Sequence, residues 1–84
     1  MITFANVDNP NDKRTTIPKQ VNSRFKYNMY CGDKVVGTTY GIAVKRLVVE
    51  TPGFGRYQFD VDLLKRIQRR NMSVEDLLKF ATKV

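Results

Sequence analysis

The sequence predicts an α+β domain, with a small antiparallel β-sheet of three to four strands followed by two C-terminal α-helices packed on one face. Three observations support this prediction. Apolar and polar residues alternate strictly from Arg24 onward, Gly32-Asp33 is typical of a hairpin turn, and two apolar stripes with helical spacing follow Asp60. The 84 residues are expected to form a single domain over 1–84, because a chain of this length has room for one core.

The N-terminal part of the chain is predicted to contain little regular structure. Residues 1–7 form a candidate edge strand, which needs a partner that the sequence does not identify. Residues 8–23 hold Pro10, Pro18 and several polar turn formers, with almost no apolar residues. We therefore expect a polar loop or mobile arm there.

The strand that begins at Arg24 is predicted to be half-buried. Successive side chains of a strand point to opposite faces, so the alternation separates an apolar face from a basic one. After the Gly32-Asp33 turn, residues 34–40 return as a second strand, with β-branched side chains that suit a pleated surface. The apolar face comprises Phe25, Tyr27, Met29 and Cys31, and the outer face comprises Arg24, Lys26, Asn28 and Tyr30.

Residues 41–51 fit two interpretations. Their β-branched residues favour a strand, while the spacing of Val44 and Val48 also fits a helix, and we favour the strand. Residues 52–55, Pro-Gly-Phe-Gly, then break the chain. Residues 56–59 are expected to pair back as a further strand.

The C-terminal third predicts two helices joined by a tight turn. Asp60 is a candidate N-cap for a helix over 61–70, which Asn71 would end in the left-handed conformation. Ser73, with a carboxylate three residues later, is the N-cap of a second helix over 74–83. The expected core comprises Phe25, Tyr27, Met29, Val36, Leu47, Phe59, Val61, Leu64, Ile67, Leu77, Leu78 and Ala81.

The chain is strongly basic. It carries 15 Lys and Arg against 8 Asp and Glu, for a formal charge of +7 and a pI near 9.9. Residues 13–46 hold eight basic residues and one acidic residue, Asp33, so the surplus is central. This balance indicates polyanionic partners.

The most concentrated cations lie on the first predicted helix. At about 100° per residue, Lys65, Arg66, Arg69 and Arg70 share one arc, opposite the apolar arc of the helix. Two interpretations stay open. The arc is either a solvated face near the negative end of the helix dipole or a ridge whose Arg side chains bind phosphate oxygens.

A second group of cations is expected on the sheet. Arg24, Lys26 and Tyr30 would project together, and an exposed tyrosine beside cations suits base stacking combined with phosphate contacts. The competing interpretation is an edge strand that its charges protect from aggregation. Further bases on neighbouring strands are Lys45, Arg46 and Arg56.

Residues 52–59 resemble part of the octapeptide consensus of RNA recognition motifs, which implies base stacking on RNA. Pro52 replaces the leading basic residue of that consensus, and Arg56 replaces a stacking aromatic. The helix that such a domain needs between its first two strands has no counterpart here. We therefore interpret these residues as a strand connection that can still present Phe54 to a flat ring. The matching residues are Gly53, Phe54, Gly55 and Phe59.

Catalysis is not predicted. Without histidine, the chain lacks the usual general base near neutral pH and the usual activator of a serine or cysteine nucleophile. Cys31 is the single cysteine, and we interpret it as a small hydrophobe. Asp60, Asp62 and Glu50 could hold a metal for phosphodiester cleavage, but Asp-x-Asp at a strand-to-helix junction is a frequent capping pattern. We expect no catalytic residue, no metal and no cofactor.

The predicted function is sequence-tolerant binding of RNA or single-stranded DNA by phosphate and stacking contacts. The alternative is a phage-type accessory protein that inhibits or adapts a host enzyme, such as a toxin or nuclease, by direct or RNA-bridged binding to an acidic or RNA-bound protein. The expected nucleic-acid-binding residues are Arg24, Lys26, Tyr30, Lys45, Arg46, Phe54, Arg56, Lys65, Arg66, Arg69 and Arg70.

Neither a membrane partner nor secretion is expected. No stretch approaches the roughly 18–20 apolar residues of a membrane span, and the first residues lack the charged region of a secretory signal. The basic helix also has no Trp or Phe at its apolar boundary, which makes binding to a membrane surface the weakest alternative. We therefore expect a cytoplasmic protein. A homodimer is compatible with the sequence, because a domain this small gains burial from association.

Overall fold

The computed structural model describes residues 1–19 and 26–84. Within these ranges the chain forms one antiparallel sheet of six strands, and each strand pairs with the next one in sequence. Two short helices, α1 (Val61–Ile67) and α2 (Val74–Leu78), lie between the fifth and sixth strands. The strands are β1 (Ile2–Asn6), β2 (Tyr27–Cys31), β3 (Lys34–Ala43), β4 (Arg46–Thr51), β5 (Gly55–Asp60) and β6 (Thr82–Lys83).

The expected sheet of three to four strands with two packed helices is wrong. The described residues form a larger sheet, because residues 41–51 divide between the end of β3 and the whole of β4. The end of the chain also pairs with the sheet as β6, and the candidate edge strand over 1–7 is confirmed as β1. The antiparallel pairing, the turn at Gly32-Asp33 and the break at residues 52–54 agree with the sequence prediction.

The register of the sheet assigns its two faces, since directly opposed residues of antiparallel strands point to the same side. Leu47 of β4 lies opposite Phe59 of β5, and both side chains are buried. The same cluster contains the apolar side chains of α1 and α2, such as Leu64 and Leu77. The helices therefore cover this inward face, and the other face of β3, β4 and β5 stays in solvent.

The core contains most of the residues that the sequence predicts. Nine of them are buried, Ala81 is partly buried and packs against the cluster, and Tyr27 is partly buried. Phe25 lies outside the described residues. The prediction missed several residues because it did not place β1 or the following segment in the core: Ile2, Phe4 and Ile17.

The segment after β1 is tied to the sheet at two points. The backbones of Phe4 and Arg14 exchange two hydrogen bonds of 2.7 Å, and Lys19 forms a parallel bridge with Ile42 of β3. Between these bridges, Ile17 is 7% exposed and belongs to the core. The described part of the predicted polar arm, residues 8–19, thus contributes an apolar anchor.

The turn between β3 and β4 adopts a conformation that its residues disfavour. Val44 and Lys45 have φ values of 50° and 62°, which together are the pattern of a type I′ hairpin turn. Asn and Gly suit these two positions, whereas a β-branched residue in the left-handed region is an outlier. The Val44 side chain is 92% exposed, so it gains no packing in return.

We expect the double substitution Val44→Asn/Lys45→Gly to stabilise the protein. Relieving the backbone strain at these two left-handed positions should raise the free energy of unfolding by about 1–2 kcal/mol, since each disfavoured residue costs roughly 1 kcal/mol or more. Urea unfolding would show a higher midpoint with an unchanged slope. Val44→Ala is the control, because alanine removes the same exposed side chain but remains disfavoured at positive φ. Equal midpoints for both variants would contradict the strain argument.

Helix α1 is shorter than the sequence predicts. Asp60 is its N-cap as expected, and the carboxylate accepts a hydrogen bond of 3.2 Å from the Asp62 amide. The helix ends at Ile67, followed by Gln68 in the right-handed helical region and a turn through residues 68–70. Asn71 does not have a positive φ, so the prediction that it ends the helix in the left-handed conformation is wrong.

Helix α2 also differs from its prediction. Ser73 is the expected N-cap and accepts a hydrogen bond of 3.1 Å from the Asp76 amide, but the helix ends at Leu78 instead of continuing to 83. Amides 79–81 bond to carbonyls three residues earlier, which tightens the last turn. Residues 82–83 then pair with the free edge of β5, because backbone pairing on the sheet replaces the last helical turn.

No helix of the described ranges is long and apolar enough to cross a membrane.

Candidate nucleic-acid interface

Most of the predicted binding residues in the described ranges fall into two groups on opposite sides of the sheet. One group lies on α1 and the turn after it, on the side where the helices cover the inward face. The other group lies on the outward face of β3, β4 and β5 or beside it. The fold therefore separates the two basic regions of the sequence instead of merging them.

The first group forms the surface that we call the cationic ridge, defined as Lys65, Arg66, Arg69 and Arg70. All four residues are exposed. Lys65 and Arg66 occupy the last turn of α1, whereas the two later arginines lie in the turn that follows it. Lys65 and Arg66 are exposed on α1, whose other side is buried through Val61, Leu64 and Ile67.

The end of the ridge is fixed to the N-terminal strand by Gln68. Its backbone carbonyl accepts a hydrogen bond of 2.8 Å from the Ile2 amide, and its side-chain amide donates to the Ile2 carbonyl at 3.0 Å. The same side-chain nitrogen also donates to the Thr15 carbonyl. These bonds attach the turn between Arg66 and Arg69 to β1 and to the segment that follows it.

The charges of the ridge are not neutralised by neighbouring carboxylates. Among residues 1–19 and 26–84, the ion pairs do not include any ridge residue, and residues 20–25 contain no carboxylate side chain. Elsewhere, the hydrogen bond and charge of Asp12 raise the pKa of the Arg14 guanidinium above its ordinary value. The ion pairs are Arg14–Asp12 at 3.0 Å, Arg56–Glu50 at 3.1 Å and Lys79–Asp76 at 3.4 Å.

The second group lies at a concave surface that we call the outer groove. It encloses about 350 Å³ where β3 bends around a register shift between Thr39 and Ile42. At the bend, the Gly41 amide donates a hydrogen bond of 3.1 Å to the Thr39 hydroxyl. The groove is lined by Thr38, Tyr40, Gly41, Ala43, Arg46, Val48, Glu50, Arg56 and Gln58.

Tyr40 is the aromatic residue of the outer groove. Its side chain is 41% exposed, and the Lys26 ammonium lies 5.4 Å from the centroid of its ring. Val48, 40% exposed, lines the same groove. The groove thus combines a flat ring and an apolar surface with the guanidinium groups of Arg46 and Arg56.

The register of β3, β4 and β5 determines where the charged residues of the groove lie. Thr38, Glu50 and Arg56 form one row across β3, β4 and β5, and Arg46 lies opposite Asp60 further along. Glu50 accepts a hydrogen bond of 3.1 Å from the Arg56 guanidinium, so one of the two arginines is neutralised. The groove is therefore mixed in charge, while the ridge is purely cationic.

The remaining predicted site residues are dispersed. Tyr30 is only 7% exposed, and the Lys13 ammonium covers its ring at 4.4 Å, so it does not offer a free stacking surface. Phe54 is 49% exposed in the turn between β4 and β5, and Lys45 is exposed in the turn between β3 and β4. Arg24 lies outside the described residues.

The acidic residues and the cysteine that were considered for catalysis take part in a helix cap, an ion pair and a hydrogen bond within the fold. Asp60 caps α1, Glu50 pairs with Arg56, and the buried Cys31 thiol donates a hydrogen bond of 2.9 Å to the Met72 carbonyl. In the described part of the chain, no three His, Cys, Asp or Glu side chains are grouped closely enough to hold a metal ion.

Sequence reasoning did not identify several residues that line the outer groove, among them Thr38, Val48 and Gln58. Their positions follow from the alternation along β3, β4 and β5 once the turn at Val44-Lys45 is known. The single-strand interpretation of residues 41–51 concealed that turn, and with it the register.

Comparison with protein-family models, curated proteins and solved structures gives no match.

Proposed function

We propose that this protein binds single-stranded nucleic acid, RNA or DNA, and that the cationic ridge contacts its phosphates without reading sequence. The observation that carries the proposal is the group of four exposed cations without a carboxylate partner. Four like charges within six residues repel one another, and no ion pair with a carboxylate of the described residues offsets this repulsion. A polyphosphate backbone removes that repulsion and releases its own counterions.

The side chains of the ridge suit phosphate. Three of the four are arginines, whose planar guanidinium groups can bind two phosphate oxygens at once. The ridge itself does not distinguish single strands from duplexes. The preference for single strands rests on the partly exposed rings of Tyr40 and Phe54, because only unpaired bases expose their faces for stacking.

The test is a salt titration of binding to a random RNA oligomer, with Arg66→Ala/Arg70→Ala compared with the wild type. Loss of two phosphate contacts on a single strand reduces the slope of log K against log salt by about 1.4. The same relation weakens binding about 25-fold near 0.1 M salt. Both effects follow because each neutralised phosphate releases condensed counterions.

Lys79→Ala/Lys83→Ala is the charge-matched control, since it also removes two exposed cations from the total of +7. We expect its slope to stay close to that of the wild type. An unchanged slope in the ridge variant, or equal changes in both variants, would refute the proposal. Capture of an acidic protein from a nuclease-treated lysate by the wild type, without RNA binding, would favour the accessory-protein alternative instead.

A further inference from the structure

We infer that the outer groove is a nucleobase site, which takes one unpaired base of the strand against Tyr40 and places its phosphate between Arg46 and Lys26. The inference rests on the proposed function, because it assumes a nucleic acid as partner. It adds a second and separate contact surface, on the side of the sheet opposite to the ridge.

The groove has the size and chemistry for one base. Its volume of about 350 Å³ lies within the range of roughly 300–1,000 Å³ that is usual for small-molecule sites. The ring of Tyr40 and the side chain of Val48 are exposed inside it, and both are surfaces on which a flat base can lie. Between them the groove offers polar groups from Thr38, Glu50 and Gln58 to the edge of the base.

The cations at the groove favour an anionic ligand over an apolar protein segment. Lys26 lies over the Tyr40 ring, and Arg46, which pairs with Asp60 of β5, lines the groove. Base stacking is stronger than an exposed cation–ring contact, so a base can displace the ammonium from the ring. The displaced ammonium is then close to the phosphate of that same nucleotide.

Glu50 adds a reason for a base over a phosphate alone. Its carboxylate faces the groove and repels free phosphate, although Arg56 compensates part of this charge. A carboxylate accepts hydrogen bonds from exocyclic amino groups, as in contacts to cytosine. The groove should therefore bind adenine- or cytosine-containing strands and leave inorganic polyphosphate to the ridge.

The experiment compares two probes, an oligo(rA) of about twelve nucleotides, within the usual site sizes of about 4–16, and inorganic polyphosphate of similar charge. Tyr40→Ala should weaken oligo(rA) binding about tenfold through the lost stacking surface and leave polyphosphate binding unchanged. Tyr40→Phe is the matched control, because it keeps the ring, and it should bind both probes as the wild type does. Tyr40 is 41% exposed, so neither variant disturbs the core.

The amide NMR signals of Thr38, Val48 and Gln58 give a second measurement that needs no variant. They should shift when oligo(rA) is added and stay in place with polyphosphate. If Tyr40→Ala binds oligo(rA) normally, or if these signals do not move, the groove inference fails while the ridge proposal stands. If both probes weaken equally in Tyr40→Ala, the ring does not stack on a base and the inference also fails. Failure of the ridge proposal is seen separately, as an unchanged salt slope in Arg66→Ala/Arg70→Ala.

Discussion

Gly37→Ala should strongly destabilise this protein, because the added methyl group would overlap the neighbouring strand. A Cβ atom at Gly37 would lie 2.8 Å from both the Glu50 carbonyl carbon and the Val49 Cγ1 atom, and closer still to the Glu50 carbonyl oxygen. Backbone atoms of a paired strand cannot move aside without breaking the ladder between β3 and β4. We expect a loss of about 3 kcal/mol or more, at or above the usual range for overpacking.

Such a loss is large for a chain of this length. At roughly 0.05–0.15 kcal/mol per residue, a domain of this size is stable by only about 4–13 kcal/mol. Urea unfolding would therefore show a much lower midpoint, or a protein that is not folded at 25 °C. The control is Gly32→Ala, since Gly32 has a φ of 62° but no atom lies within 4 Å of the position that a Cβ would take there. It should cost about 1 kcal/mol through backbone strain alone; equal losses for the two variants would contradict the steric argument.

The sequence identified the strands and caps whose signals are local. Alternation marked β2, the break at residues 52–54 marked the turn before β5, and Asp60 and Ser73 marked the helix starts. Each of these signals lies within a few neighbouring residues, so no tertiary information is needed to interpret it. The same holds for the cations of the ridge.

The sequence did not show features that depend on distant pairing. The turn at Val44-Lys45 lacks the usual Asn-Gly signal, and the strands that it joins, β3 and β4, pair directly on either side of it. Residues 82–83 leave the predicted helix because the edge of β5 is free to accept them. In both cases tertiary pairing outweighs the local preference.

The distribution of the predicted binding residues over the two faces of the sheet depended on the same missing information. Tyr30 alternates with apolar residues and was expected outside, but Lys13 from the segment after β1 covers it. Arg46 and Arg56 share the outer groove, while α1 carries the ridge to the opposite side of the sheet. The sequence shows which residues are charged. Which face of the sheet each of them lies on depends on the strand register, which the sequence alone does not show.

Replacing all four ridge residues should have the largest effect on binding. The variant Lys65→Ala/Arg66→Ala/Arg69→Ala/Arg70→Ala removes four phosphate contacts, which lowers the salt slope by about 2.8 on a single strand. Near 0.1 M salt this corresponds to a loss of about 600-fold in affinity for an RNA oligomer. The measurement is a fluorescence anisotropy titration of a labelled oligomer at several salt concentrations.

A loss of binding could also come from unfolding or from the lower net charge, and two comparisons separate these causes. Alanine at the four positions removes like-charge repulsion, and at the two positions inside α1 it also has the highest helix propensity, so the thermal midpoint should stay close to that of the wild type or rise. The variant Lys19→Ala/Lys34→Ala/Lys79→Ala/Lys83→Ala loses the same charge at exposed positions outside the ridge. If it weakens RNA binding as much as the ridge variant does, net charge alone accounts for the affinity. If it retains most of the affinity, the phosphates bind where α1 and the following turn concentrate their cations.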